Sequence, residues 1–231
     1  MFAVGGIAGP VGRAALVVGL VAAVFGMFAA ISGTRNGDAK VMRLVPRFAV
    51  LAFASAVGAF AAMEWALITR DFSLDYVQRV GSRSTPALYN FTAIWSALEG
   101  SILLWLLTLA GLTMAIMFKY RSKLNDPMVG WAMATMFFVS VFFFLLTLGP
   151  SNPFVVGAPG VTDGPGPNPL LQNHILVVFH PPILYLGYVG MTVPFAFAIG
   201  ALITGRLGEG WLVETRRWAL ISWGLLTFGI I

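Results

Sequence analysis

Apolar residues run in long blocks separated by short polar stretches, and those blocks set the first reading of the chain. Predominantly apolar segments fall at about Ala14–Ile31, Phe48–Thr69, Thr92–Phe118, Val129–Leu148, Pro182–Thr204 and from Trp218 onward. Most reach the roughly 18–20 residues that carry a helix across a bilayer. The predicted fold class is therefore all-α: a polytopic membrane protein of about six transmembrane helices, the last one truncated. The first block is too long for a signal-peptide core and no clean small-residue cleavage site follows it, so it is read as a retained helix. The last block offers 14 residues, Trp218 through Ile231. A helix stopped in mid-bilayer leaves carbonyls unpaired, so the sequence is expected to be the N-terminal piece of something longer.

Composition agrees with a membrane environment. Of 231 residues 58% are hydrophobic and only 10% charged, with a mean hydropathy of +0.87, whereas soluble domains place about a quarter of their residues in charged side chains. The net charge of +5 does not point to nucleic acid, because the basic residues sit in separate loops and not on one face. Arg35, Lys40, Arg43, Arg47, Lys119, Arg121, Lys123, Arg206, Arg216 and Arg217 follow alternate spans; Arg13, Arg70, Arg79 and Arg83 lie on the other side. Ten against four places the first set in the cytoplasm and the N-terminus outside. There is no cysteine, which excludes a disulfide, a thiol nucleophile and thiolate ligands. No Gly-rich phosphate loop, nucleophile–base pair or carboxylate cluster is present.

The unusual chemistry collects outside. From Gly149 to Pro169, 11 of 21 residues are Gly or Pro, so no regular element is expected there, and loops of this length are functional or disordered. The apolar stretch Leu170–Phe179 is too short to span and is expected at the interface or re-entrant. His180 precedes Pro181 and Pro182, which suit the first turn of a helix. His180 is thus expected just outside the start of the fifth span, on a stiffened backbone. Two readings stand for it: an axial ligand to haem iron, or a histidine capping the helix or hydrogen-bonded at headgroup level. His174 lies six residues earlier, which on one helix would set the two imidazoles apart. Glu99, expected two turns into the third span, is either functional or an acid facing a crevice or a neighbouring helix. Trp95 is expected one turn above it. Glu64, near the outer end of the second span, carries the same ambiguity.

Three groups of residues, in order, resemble the CcmF family of cytochrome c haem lyases. They are Trp95…Glu99-Gly100-Ser101…Leu104-Trp105, Thr147-Leu148-Gly149-Pro150-Ser151-Asn152-Pro153-Phe154, and Asn168-Pro169-Leu170-Leu171-Gln172-Asn173 followed by His180-Pro181-Pro182-Ile183-Leu184-Tyr185-Leu186-Gly187-Tyr188. The nitrite-reductase-associated paralogue and the CcsA branch share parts of the pattern. Where many members have His before Glu-Gly-Ser, this chain has Leu98.

The resemblance implies cytochrome c biogenesis on the outer face of a bacterial inner membrane. Haem delivered by the chaperone CcmE would be presented to the Cys-x-x-Cys-His motif of an apocytochrome c, with CcmH- and CcmI-type subunits as further partners. His180 matches an axial ligand of that haem, and the haem site is expected to draw on His180, Pro181, Pro182, Trp95 and Glu99. A second external histidine, a Trp-rich segment and the haem b ligands are expected beyond Ile231, so the piece alone is expected to be inactive and to retain little haem. Residues 1–88 are read as two N-terminal helices with an external loop, and 89–231 as the start of the haem-handling domain. The rival readings are a transporter with Glu64 and Glu99 lining a polar pathway, and a structural subunit.

Overall fold

The computed structural model describes residues 4–170, 174–206, 208 and 210–230. It is all-α among those residues. The one β feature is an isolated antiparallel bridge between Leu74 and Val156. The long helices are α1 (Ala8–Asn36), α3 (Val45–Ile68), α6 (Leu98–Lys119), α7 (Pro127–Leu148), the consecutive α8 (Leu176–Gly190) and α9 (Thr192–Thr204), and α10 (Gly210–Ile230). Shorter ones are α2 (Ala39–Met42), α4 (Asp75–Val80) and α5 (Ala87–Thr92). Five helical segments are long and apolar enough to cross a membrane, with α8 and α9 together forming one 29-residue segment.

Helix α1 packs between α3 and α7, and α6 closes against α3 and α7. The α1–α7 contact explains a pattern that hydropathy alone does not display. Gly12, Gly19, Gly26 and Gly33 recur every seven residues on the buried face of α1, and Gly130, Phe137 and Phe144 recur likewise on α7. The two rows run antiparallel and interdigitate. The Phe144 ring lies over Gly19, the Phe137 ring over Gly26, and Thr34 of α1 fills the space at Gly130. Phe154, from the loop beyond α7, lies over Gly12. Between lipid-exposed helices there is little hydrophobic driving force, so close packing of small residues supplies much of the attraction. A seven-residue repeat keeps that seam aligned along the helices. A Cβ added at Gly26 would stand 2.6 Å from two Phe137 ring carbons. Gly26→Ala is therefore expected to lower stability by about 1–3 kcal/mol through overpacking, read as a lower midpoint of thermal aggregation in detergent.

The two ends of the bundle differ in charge. At one end Arg43 and Arg121 line a common hollow, Arg206 pairs with Asp126 at 2.7 Å and Lys123 with Glu214 at 2.8 Å. At the opposite end lie α4, α5 and the long loop after α7. That loop is built onto the rest by hydrogen bonds. Asp75 N donates to Val155 O (2.9 Å), Gly157 N to Ser73 O (2.8 Å) and Gly166 N to Gly81 O (3.1 Å). Gln78 Nε2 donates to Ala158 O (2.7 Å), Arg83 Nε to Thr162 O (2.8 Å) and Arg13 NH2 to Phe154 O (2.6 Å). The Gly/Pro-rich stretch is thus a tied cap, because its backbone groups find partners in α4 and its neighbours.

Several expected boundaries shift. The third span begins at Leu98 and not at Thr92: Ala97 is extended (φ −136°, ψ 168°). The residues before it form α5 and a 3-10 turn, Ala93–Trp95. Ile94 and Trp95 are buried against protein, and hydropathy does not distinguish that from burial in lipid. The fifth span begins at Leu176, so Leu176–Phe179 is the first turn of α8 and not a separate segment, and Pro181 and Pro182 lie inside that helix. They are the sixth and seventh residues of α8, past the first four N–H groups that lack a partner in any helix, so they deprive the Val177 and Val178 carbonyls of backbone donors. Helix α10 starts eight residues before Trp218; Glu214, Arg216 and Arg217 in its first half hid it from a hydropathy reading.

Candidate functional site

The Glu-Gly-Ser motif at the start of α6 has a clear structural use. Glu99 occupies the first turn of α6, not a depth of two turns, and accepts from Arg79 NH2 at 2.7 Å; Arg79 Nε also reaches Asp75 at 2.8 Å. Gly100 is the place where the Ile94 carbonyl and the Tyr76 hydroxyl come against the helix backbone, leaving no room for a Cβ. Tyr76 donates to Ala93 O (3.1 Å) and Ile94 O (2.8 Å), and burial pushes its phenol above the ordinary value, so it remains a donor. Ser101 Oγ donates to Trp95 O at 3.0 Å. Gly100 and Ser101 therefore hold the 93–95 turn against the end of α6, while Glu99 ties α6 to Arg79 of α4.

That turn presents Trp95 to α8. Trp95 is 9% exposed, makes an edge contact with Phe91, and donates from Nε1 to Val177 O at 2.8 Å. A cavity of about 340 Å³ opens where the two meet, lined by Trp95, Ser96, Leu170, His174, Leu176, Val177, His180 and Pro181. This volume lies at the small end of ligand pockets, and the wall is largely apolar with a few polar groups, as such pockets are. His180 is exposed and has no hydrogen-bond partner among the described residues.

The structure brings Trp95, His180 and Pro181 together at one cavity. Pro182 follows in α8, half-buried, outside the lining. Glu99 is also outside it, engaged with Arg79. His180 is not beyond the helix start, as expected, but is the fifth residue of α8. The separation expected of His174 and His180 on one helix does not apply, because His174 precedes α8. Its ring lines the same cavity, and Nδ1 accepts from Leu176 N at 3.3 Å, leaving Nε2 as the protonated nitrogen. Leu171, Gln172 and Asn173, part of the motif upstream, lie outside the described residues.

Glu64 is buried in α3 with neither carboxylate oxygen partnered among the described residues. Among the described residues, neither Glu64 nor Glu99 lines the three hollows found at this end of the bundle. Glu99 belongs to a surface ion pair. A polar pathway through both is not favoured.

The family described as cytochrome C assembly protein matches residues 95–231, more than half of the chain. The chain belongs to the cytochrome c assembly protein family. The match to this family begins at Trp95 and takes in His174, His180, Pro181, Pro182 and Glu99, while Glu64 falls before it. Cytochrome c-type biogenesis protein CcmF of Escherichia coli is 43% identical over 201 residues, covering 86% of this chain and 31% of that protein. CcmF of Pseudomonas aeruginosa is 42% identical, covering 86% and 30%. The probable cytochrome c-type biogenesis protein NrfE of Escherichia coli is 33% identical, covering 87% and 36%. A solved structure described as cytochrome c heme lyase CcmF superposes with a TM-score of 0.82 at 35% identity, over 96% of this chain and 35% of that one. The chain spans about a third of the length of these relatives.

Proposed function

We propose that this chain contributes the His180 part of the haem site of a cytochrome c haem lyase. Haem is the substrate. His180 ligates its iron on one side, and the cavity wall of Trp95, Leu176 and Pro181 supports the porphyrin edge. The observation that carries this reading is an exposed imidazole with no hydrogen-bond partner among the described residues, on a helix turn stiffened by two prolines, beside a mostly apolar cavity. The group fits. A neutral imidazole is a common iron ligand, and apolar walls suit a porphyrin face. His174 lines the same cavity with its Nε2–H free to reach a haem propionate.

Haem itself supplies the reactive vinyl groups. Each cysteine thiol of Cys-x-x-Cys-His adds across one vinyl, forming one C–S bond and placing a hydrogen on the adjacent carbon. The protein's share is placement and exclusion of wrong orientations. The excess of basic residues at the opposite end supports an outward-facing site in a bacterial inner membrane. CcmE would deliver haem there, apocytochrome c would receive it, and CcmH- and CcmI-type subunits would assemble with the lyase.

The ligation is tested on the full-length protein loaded with haem. Wild type is expected to show the spectrum of a six-coordinate, imidazole-bound external haem, and His180→Gly to lose it and regain it in millimolar imidazole. An unchanged spectrum and haem content in His180→Gly would mean that His180 is not a ligand.

A further inference from the structure

A proline inside a helix removes the donor that the carbonyl four residues earlier would have received, and its ring pushes that carbonyl outward. In α8 the carbonyl deprived by Pro181 belongs to Val177, and Trp95 Nε1 donates to that same atom at 2.8 Å. Trp95 also grips α8 beyond the prolines. Tyr185 OH contacts Ser101 Oγ at 3.2 Å, and Ser101 Oγ donates to Trp95 O at 3.0 Å. The two ties fall on Val177 and Tyr185, on either side of His180-Pro181-Pro182. Trp105 meets Tyr185 edge-on and Tyr188 at a tilt, at ring separations of 5.5 and 5.4 Å, so the later tie rests on a packed aromatic cluster.

We propose that Trp95 is a positioning residue. Its indole N–H replaces the helix hydrogen bond that Pro181 removes, and so sets the turn from which His180 projects. This deepens the haem-site reading above and rests on it. The division of labour is specific: Pro181 frees a carbonyl, Trp95 takes it, and the imidazole between them is held without using any of its own nitrogens. An indole that served only as a cavity wall would need its ring but not its N–H.

The N–H and the ring separate in Trp95→Phe, and the proline's part separates in Pro181→Ala, which restores a backbone donor to Val177 O. Full-length wild type, both single variants and the double variant would be compared for haem retained and for deuterium uptake over Leu176–Tyr185. Trp95→Phe is expected to retain haem about tenfold more weakly and to exchange faster, as expected when a carbonyl loses its partner. In the Pro181→Ala background the same change is expected to do little in either readout. An equal loss in both backgrounds, or no loss in either, overturns the proposal. His180→Gly separates the two claims. If it keeps its haem spectrum, the site reading fails, and coupled deuterium uptake alone then shows Trp95 setting a turn that serves no haem ligand, which overturns the positioning role as well.

Discussion

Full-length protein carrying His180→Ala, co-expressed with an apocytochrome c in a host lacking its own lyase, is expected to yield no detectable covalent haem. Wild type is expected to give a clear haem-stained band. The expectation follows from the absence of a substitute. His180 faces the cavity from a turn fixed by two prolines, and the other imidazole lining it, His174, accepts the Leu176 N–H with Nδ1. Loss of the partners that merely orient a metal ligand costs about 10–100-fold, and loss of the ligand itself exceeds that. Accumulation of the variant in the membrane is the control, and it is expected to match wild type because the side chain is exposed and has no hydrogen-bond partner among the described residues. Unchanged attachment would make His180 a helix residue with no part in holding haem.

Gly100→Ala is expected to be the most damaging of the small substitutions at this end of the molecule. The added methyl would meet the Ile94 carbonyl and the Tyr76 hydroxyl. A ring such as Phe137 beside Gly26 can tilt by a few tenths of an ångström. A backbone carbonyl held by the buried Tyr76 hydroxyl cannot move without carrying the 93–95 turn with it. Overpacking of this kind costs roughly 1–3 kcal/mol, occasionally more, and here the strain falls on the residue that donates to Val177 O. Lower accumulation of the full-length variant, with attached haem per molecule also reduced, is the expected outcome. The same yield and the same attachment as wild type would show that the turn relaxes freely.

Much of the fold was legible because lipid imposes a crude rule. Long apolar blocks become helices, and each of the spans α1, α3, α6, α7 and α8–α9 overlaps a block that hydropathy marked, with the starts of α6 and α8 shifted. The misplacements share one cause. Hydropathy reports that a side chain avoids water and is silent on whether protein or lipid covers it. Ile94 and Trp95 are apolar because they pack on protein, so the third span was drawn too long and Glu99 too deep. Conversely, the charged face of α10 concealed a helix that packs against α8.

At the candidate site, residue identities were readable but their relations were not. Trp95, Glu99, His180, Pro181 and Pro182 stood out by type and by resemblance. That His174 shares the cavity depends on where α8 begins. Just inside that boundary the Val177 carbonyl meets a donor 82 residues away in sequence, a contact that no local pattern contains. The seven-residue glycine row was present in the sequence, yet its meaning required the phenylalanines of α7 in antiparallel register. By itself the sequence determined helices in a membrane, their approximate number and a short list of unusual side chains, because periodicity, length and composition are local properties. Only the tertiary structure decided that Glu99 holds Arg79 at the surface and that Trp95 joins a proline-broken turn to the end of α6. Those facts are contacts between segments far apart in the chain, and a contact is satisfied or left open only when both partners are placed.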